Sequence, residues 1–351
     1  WCKMKTLSVI PLSDSSRWDQ TVHSFCDYDV YYLSGYVKAF QLHGDGDPIL
    51  FYYEGEDLRG INVVMKRDIA KDPRFIGKLP ENQYFDFATP YGYGGWLLEG
   101  PGDRKPLFTA YERWCQDNGV VSEFVRFHPV TANQEAIYDV YDVIGLGGTI
   151  ALDLSSPETV WANLSSKNRN MIRKAQKNGI HIYNGRFPAI YEQFQEIYNA
   201  TMDRDHAGSY YYFSRAFYLS ILNDLSANAQ VFYAQMEDGT IAAASIMLTA
   251  NGRMSYHLSG SRQEFQHLAP TNLLLYEAAL WGGANGCRTL HLGGGVGSEE
   301  DGLYHFKKSF YRGESRRFHI GRKIFLPNEY QSLVERRPDL PNNAFFPRYR
   351  A

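Results

Sequence analysis

The chain is poor in cysteine and has no long apolar run, and both shortages exclude whole classes of protein. Four cysteines (Cys2, Cys26, Cys115 and Cys287) stand far apart among 351 residues. No Cys-x-x-Cys pair and no two histidines at helical i, i+4 spacing occur, so no metal site is expected. Scattered thiols in a chain of this size read as buried and reduced, which predicts a cytoplasmic setting. No apolar stretch approaches the ~18 residues that a membrane span needs. The opening Trp1-Cys2-Lys3-Met4 lacks the pattern of a signal peptide. A soluble chain is therefore expected; peripheral membrane contact and oligomeric state stay open.

What is present is ordinary globular composition, 44% hydrophobic and 21% charged, at a length that suits two cores better than one. The 26 tyrosines and 21 phenylalanines exceed what cores alone use and suggest substrate-lining surfaces. The chain also repeats itself. Tyr31-Tyr32-Leu33-Ser34 opens a helix-like stretch that leads to the runs Ile49–Tyr53 and Ile61–Met65 across an acidic turn. Tyr211-Tyr212-Phe213-Ser214 does the same before Val231–Ala234 and Ile241–Leu248. Each copy then has a helix closed by Asn-Gly (Asn118-Gly119, Asn285-Gly286) and a strand, Val120–Phe127 or Cys287–Leu292. A repeat this long means two copies of one domain, with a cleft between them for a large substrate. Residues 1–150 and 151–319 are the expected domains, joined near Gly145–Gly148, with 320–351 packing back on the first.

Local signals fill in the elements. A helix is expected around Tyr32–Gln41, a hairpin at Ile49–Met65, a glycine-rich crossing at Thr89–Trp96 and a helix at Pro106–Asn118. Ala151–Leu154 reads as a short strand. Ser156-Pro157 starts a helix that runs through Leu164, Met171, Ile172 and Ala175 to Gly179. Asp238-Gly239 and Asn251-Gly252 join three strands, Gln230–Met236, Ile241–Leu248 and Arg253–Ser259. Pro270–Asn285 is a crossover helix. The tail Glu335–Ala351, rich in proline and short of aliphatic residues, is expected to be extended over the surface or mobile.

Charge is unevenly spread. Residues 161–180 carry Lys167, Arg169, Arg173, Lys174 and Lys177 with no acid. Residues 304–323 carry Lys307, Lys308, Arg312, Arg316, Arg317, Arg322 and Lys323 against Glu314 alone. The net charge is −3, so the remainder is acidic. Concentrated base in an acidic chain fits a phosphate-bearing partner; a solvated helix face with a basic surface strand is the plainer alternative.

Two stretches carry a family resemblance. One runs from Trp161 through Ser165-Ser166-Lys167-Asn168-Arg169 and Arg173-Lys174-Ala175 to Gly179. The other combines Tyr256-His257-Leu258-Ser259-Gly260-Ser261, Leu273 to Ala279, Leu292-Gly293-Gly294-Gly295 and Phe306-Lys307-Lys308-Ser309-Phe310. In this order they resemble the FemABX family of tandem GNAT-fold transferases. Most members move an amino acid from aminoacyl-tRNA to an amine of a peptidoglycan precursor. The resemblance is good over residues 155–325 and weaker over the first 150. It implies an α/β (α+β) fold of two GNAT-like domains with mixed, largely antiparallel sheets. It also implies an acyltransferase, with aminoacyl-tRNA as co-substrate and no bound cofactor.

Acyl transfer to an amine requires a positioned nucleophile and stabilisation of a developing oxyanion. The Phe306-Lys307 pair matches the family's functional Phe-Lys, which makes both candidate catalytic residues; one surface lysine among many is the plainer alternative for Lys307. Lys38, Arg204, Tyr212 and Tyr256 look like acceptor contacts, Arg as a bidentate phosphate clamp and Tyr as a hydrogen-bonding wall. Lys167, Arg169, Arg173, Lys174, Lys177 and Lys308 are the candidate tRNA-phosphate contacts.

A further shortage bears on the donor. Acetyl-CoA enzymes of this fold cradle the pyrophosphate on a Gly-rich turn at a helix start, which presents free N–H groups. Here Arg262 to Thr271 has no glycine. No CoA site is expected there, and an acyl-CoA-dependent transferase remains the rival. A non-catalytic RNA- or precursor-binding protein is a second rival. Thr89 to Trp96 lacks the acid of the family's Gly-Pro-x-x-Asp run, so no general base is assigned. Gly293–Gly297 reads as a turn passing close to ligand or backbone, and His291 as a structural group.

Overall fold

The computed structural model describes residues 6–351, so Cys2 and the opening tetrapeptide lie outside the described residues. The chain forms two compact units, one of residues up to Leu146 with Phe318–Ala351, the other Gly147–Arg317. The first begins with β1 (Thr6–Pro11), α1 (Ser15–His23) and α2 (Ser34–His43). The hairpin β2 (Asp47–Glu54) and β3 (Arg59–Asp68) follows, then β4 (Phe85–Ala88), β5 (Leu97–Glu99), α3 (Lys105–Asp117) and β6 (Val120–Arg126). β7 (Asp142–Asp153) spans the boundary. The second unit continues with α4 (Pro157–Asn163), α5 (Ser166–Lys177), β8 (His181–Gly185), α6 (Pro188–Arg204) and α7 (Arg215–Asp224). The meander β9 (Ala229–Gln235), β10 (Ile241–Ala250) and β11 (Arg253–Ser261) precedes α8 (Pro270–Ala284), β12 (Thr289–Gly293) and α9 (Gly302–Lys308). β13 (Arg316–Ile324) returns the chain to the first unit, which closes with α10 (Pro327–Glu335).

The repeat in the sequence is a repeat of structure. The first unit orders its strands β1-β2-β3-β4-β6-β13, with β5 beside β3, and the second β7-β12-β11-β10-β9-β8. Each has one parallel pair, β4 with β6 and β11 with β12, the other strand pairings within each unit being antiparallel. A parallel pair needs a crossover, and α3 and α8 supply it. Both helices end at Asn-Gly, where Gly119 (φ 68) and Gly286 (φ 84) take the left-handed turn that stops a helix. The paired tyrosine segments form short 3₁₀ turns, Val30–Tyr32 and Ser209–Tyr211, just ahead of α2 and α7. The fold is thus the mixed, mainly antiparallel α/β class expected.

Two expectations need correction. The helix read from Pro157 to Gly179 is two helices, because Ser165 leaves the helical path. Its N–H bonds the Ser309 carbonyl at 2.8 Å, and its hydroxyl caps α5 by accepting from Asn168 N at 3.1 Å. The tail 335–351 is anchored rather than loose. Tyr349 is fully buried and shares hydrogen bonds with Ser122 (2.8 Å) and Asp86 (3.0 Å). Arg350 pairs with Asp86 and with Asp72 (2.7 Å), and Arg337 donates to the Tyr349 carbonyl at 2.7 Å. Of the thiols, Cys115 and Cys287 are buried as expected, but Cys26 is exposed. Among the described residues no helix is long and apolar enough to cross a membrane.

Candidate active site

Lys307 lies in the last turn of α9, a helix the sequence reading did not foresee. Asp301 builds that helix. One of its carboxylate oxygens caps Tyr304 N at 2.8 Å and the other takes Val296 N at 3.1 Å. The helix carries Lys307 inward until it is only 8% exposed, with its Nζ donating to the Gly294 carbonyl at 2.6 Å. The glycine run is what lets the loop pass this close. Gly293 sits at φ 77, and a Cβ on Gly295 would come within 2.1 Å of the Glu299 carbonyl. Burial holds the Lys307 ammonium down to about 8, Asp301 opposing that shift. The result is a lysine with no carboxylate in salt-bridge range among the described residues, able to gain and lose its proton near neutrality.

Tyr256 reaches the same place through a fault in the sheet. Ser245 stands opposite Ser259 across β10 and β11, but the register slips between Ile246 and Met247, so that Met247 opposes Tyr256 rather than His257. In an unbroken strand Tyr256 and Ser259, three residues apart, would point to opposite faces. The extra residue of the bulge, His257, puts them on one face. The serine hydroxyls then form a chain, Ser245 donating to Ser259 at 2.9 Å and both serines bonding the Tyr256 phenol. Burial raises the phenol's pKa while the serines oppose that, which favours the neutral phenol with its O–H in place. The Lys307 Nζ lies 6.0 Å from the centre of the Tyr256 ring. His257 is kept neutral by burial, at about 3.

Other candidates lie elsewhere. Phe306 packs against the second unit's core and edge-on to Phe310, which makes it a packing residue. Arg204 ends α6 and ties it to β11, donating to the Ser261 carbonyl at 3.0 Å beside Asp205. Tyr212 donates to Asp203 at 2.7 Å, an interaction that raises its own pKa. Both belong to the α6 face of the sheet, where a Cβ on Gly260 would meet the Ile197 carbonyl at 2.9 Å. Tyr256 faces the opposite side, that of α5 and α8, so this unit does not gather the three into one wall. Lys38 is exposed on α2 of the first unit.

The two basic windows fare differently. On α5, Lys167, Arg173, Lys174 and Lys177 are exposed and Arg169 is half-buried, while Asn168, Ile172 and Ala175 face inward. Arg173 lies over the Trp161 ring at 5.2 Å. In the window from Lys307 to Lys323, Arg312, Arg316 and Arg317 are exposed, and the other four cations are engaged. Lys307 is buried, Lys308 turns back to the Gly313 carbonyl, Arg322 pairs with Asp142, and Lys323 pairs with Glu112 at 2.6 Å. A run of charges in sequence was divided among a helix, a turn and a strand.

Between β11 and α8 the backbone forms a 3₁₀ turn, Gln263–Leu268, then Ala269 at φ 59 and Pro270 as the first helical residue. Pro270 donates nothing, and no glycine lies between Arg262 and Pro270 to form the turn that would expose N–H groups. No cluster of metal-ligating side chains occurs among the described residues.

The first unit fills its comparable places with satisfied pairs. His128 and Asp29, both about 1% exposed, meet at 2.8 Å, and His128 Nδ1 accepts from Val130 N at 3.1 Å. Glu123 is buried under hydrogen bonds from Tyr141 (2.7 Å) and Asn62 (3.1 Å). Ser245, Ser259 and Asp301 escaped the sequence reading. Asp301, three residues ahead of Tyr304, had a legible N-cap signal; the serines gave none, because only the bulge brings them to Tyr256.

An acetyltransferase (GNAT) domain family matches residues 166–321. Among solved structures, FemX is similar at 14% identity and TM-score 0.64, covering 93% of this chain and 99% of that one. L-PGS from Bacillus licheniformis matches at 14% identity and TM-score 0.56, over 87% of this chain and 90% of that one. A protein of unknown function from Bacteroides thetaiotaomicron matches at 12% identity and TM-score 0.58, over 91% of this chain and all of the other. No curated protein matches the chain. The family match lies almost wholly within the second unit, and the chain as a whole has the two-unit GNAT-like fold that FemX also shows.

Proposed function

We propose that this protein is an N-acyltransferase that moves an aminoacyl group from aminoacyl-tRNA to an amine of a large phosphate-bearing acceptor, of which a peptidoglycan precursor is an example. The observation that carries this reading is Lys307, a buried cation without a salt bridge, set beside the phenol of Tyr256 on a glycine-rich turn. The acceptor amine attacks the ester carbonyl; the N–C bond forms and charge develops on the carbonyl oxygen. Lys307 and the Tyr256 O–H supply cation and donor to that oxygen. As the C–O bond breaks, Lys307 gives its proton to the leaving hydroxyl and recovers one from the new ammonium, which closes the proton balance. The exposed cations of α5 serve the phosphates of the donor.

The GNAT match supports a second reading, transfer from an acyl-CoA. The glycine-free turn before α8, with Pro270 as the first helical residue, weighs against it. The test supplies labelled aminoacyl-tRNA or labelled acetyl-CoA with a UDP-linked muropeptide and follows label in the acceptor. Transfer from aminoacyl-tRNA alone is expected. Transfer from acetyl-CoA alone puts the second reading in its place, and none from either donor leaves a binding protein of this fold.

A further inference from the structure

The first unit has a cation as unusual as Lys307. Arg126 ends β6, with its backbone pinned on both sides: its N–H donates to Thr89 Oγ1 at 3.2 Å, and its carbonyl takes Gly94 N at 2.8 Å. Its side chain is only partly exposed. The Nε donates to the Gly92 carbonyl at 2.9 Å, and the guanidinium lies 4.9 Å from the Phe318 ring centre and 5.8 Å from that of Tyr93. Those two rings meet edge to face at 5.8 Å, which fixes the box around the cation.

What the box lacks is an anion. Several other part-buried arginines of this unit meet a carboxylate, Arg59 with Glu99, Arg67 and Arg350 with Asp86, and Arg322 with Asp142, while Arg348 is held by the Pro341 and Asn343 carbonyls. Arg126 meets none among the described residues, and its terminal nitrogens donate to no protein atom there. A charge withdrawn from water is ordinarily compensated. Here Nε is already spent on Gly92, the plane is set by aromatic contact, and the outer edge of the fork is left with its two nitrogens side by side. That edge matches two oxygens of a phosphate or carboxylate, and little side-chain entropy remains to be lost on binding.

We propose that Arg126, boxed by Tyr93 and Phe318, is an oxyanion-binding site of the first unit that takes a phosphate or carboxylate of the acceptor. The word acceptor rests on the acyl-transfer reading; the anion site does not. The probes are inorganic pyrophosphate and N-acetylglycine, titrated into the full chain carrying ¹⁵N-labelled arginine, with side-chain signals read by NMR. A saturable shift of the Arg126 signals is expected, and calorimetry with the same probes should show affinity weakened at least about tenfold in Arg126→Gln, as loss of a bidentate charged contact implies. Arg126→Lys, which keeps the charge and loses the fork, should fall between and serves if the glutamine variant does not fold. Response to pyrophosphate alone assigns a phosphate, to N-acetylglycine alone a carboxylate. Reversing Arg173 and Lys174 to Glu should leave the titration unchanged. Arg126 signals that ignore both probes, or Arg126→Gln binding like the parent, would overturn the site. Turnover needs no part in this readout, so an inactive protein that still binds sinks the acyl-transfer reading alone.

Discussion

The two units repeat one order of elements and use it differently. In each, a cation lies beside a tyrosine ring and donates to a glycine carbonyl: Arg126 with Tyr93 and Gly92, Lys307 with Tyr256 and Gly294. The first unit holds its other buried ionisable groups in hydrogen-bonded sets, His128 with Asp29, Arg350 with Asp86, and Glu123 with Tyr141 and Asn62. The second unit buries a lysine whose proton is held loosely, near pH 8, and lines the approach with hydroxyls. One scaffold can therefore supply a fixed charge in one copy and a movable proton in the other, and burial without a carboxylate partner separates the two.

That contrast can be broken at several points. The largest effect is expected where the first unit is closed by its tail. Arg350→Ala leaves Asp72 and the fully buried Asp86 short of a partner, at a cost of roughly 3–5 kcal/mol for a broken buried pair. Hydrogen exchange should show the loosening in the first unit; equal loosening in both would mean the tail serves the whole chain.

Lys307 comes next. Lys307→Ala should lower turnover by ~10²-fold or more while the protein stays folded. Lys307→Met should stabilise it. The buried amine is held at about 8 rather than 10.5, so below pH 8 the native state bears a charge it disfavours, by up to roughly 3 kcal/mol. The unfolded chain binds more protons between pH 8 and 10.5, so parent stability should rise with pH across that window, and Lys307→Met should lack the rise. A methionine variant that melts no higher than the parent at pH 7 would place Lys307 in a less costly setting than its burial indicates.

The same group sets the pH profile. If the ammonium form acts, turnover should be level below about pH 8 and fall above it, since that is where Lys307 loses its proton. A rate that climbs through pH 8 would make Lys307 a base instead.

Smaller effects are expected on the surface and behind the phenol. Donor affinity should fall with salt at a slope of about −0.7 for each single-strand phosphate contact, and Arg173→Glu with Lys174→Glu should flatten that slope. Binding indifferent to salt would favour the acyl-CoA reading. Ser259→Ala should reduce turnover only several-fold, on the order of one lost hydrogen bond. It should add nothing to Tyr256→Phe, because the serine acts through the phenol. Additive losses would mean the serine acts on its own.

Much of the scaffold was legible. Asn118-Gly119, Asn285-Gly286, Asp238-Gly239 and Ser156-Pro157 each mark a turn or a helix end by the conformations those residues accept, and the meander and crossover helices follow. Lys307 and Tyr256 were also legible, but as letters of a resemblance. Their company was not: Ser245 and Ser259 are ordinary strand serines until a bulge turns Tyr256 toward them. The basic run at residues 304–323 was legible only in part, since burial took Lys307 and ion pairs took Arg322 and Lys323 while Arg312, Arg316 and Arg317 stayed exposed.

The sequence by itself determined the repeat, the hairpins, the helix ends and the absence of a glycine turn before α8, because such features depend on conformations available within a few residues. Only the tertiary structure decided which cations would be buried and what would face them. Ser165 bonds Ser309, Lys307 meets the loop at Gly294, and Arg350 reaches Asp86 from the far end of the chain. A side chain's charge state and freedom to act depend on the water it has lost and the groups that replaced it, and those groups are brought to it by packing rather than by its neighbours in sequence.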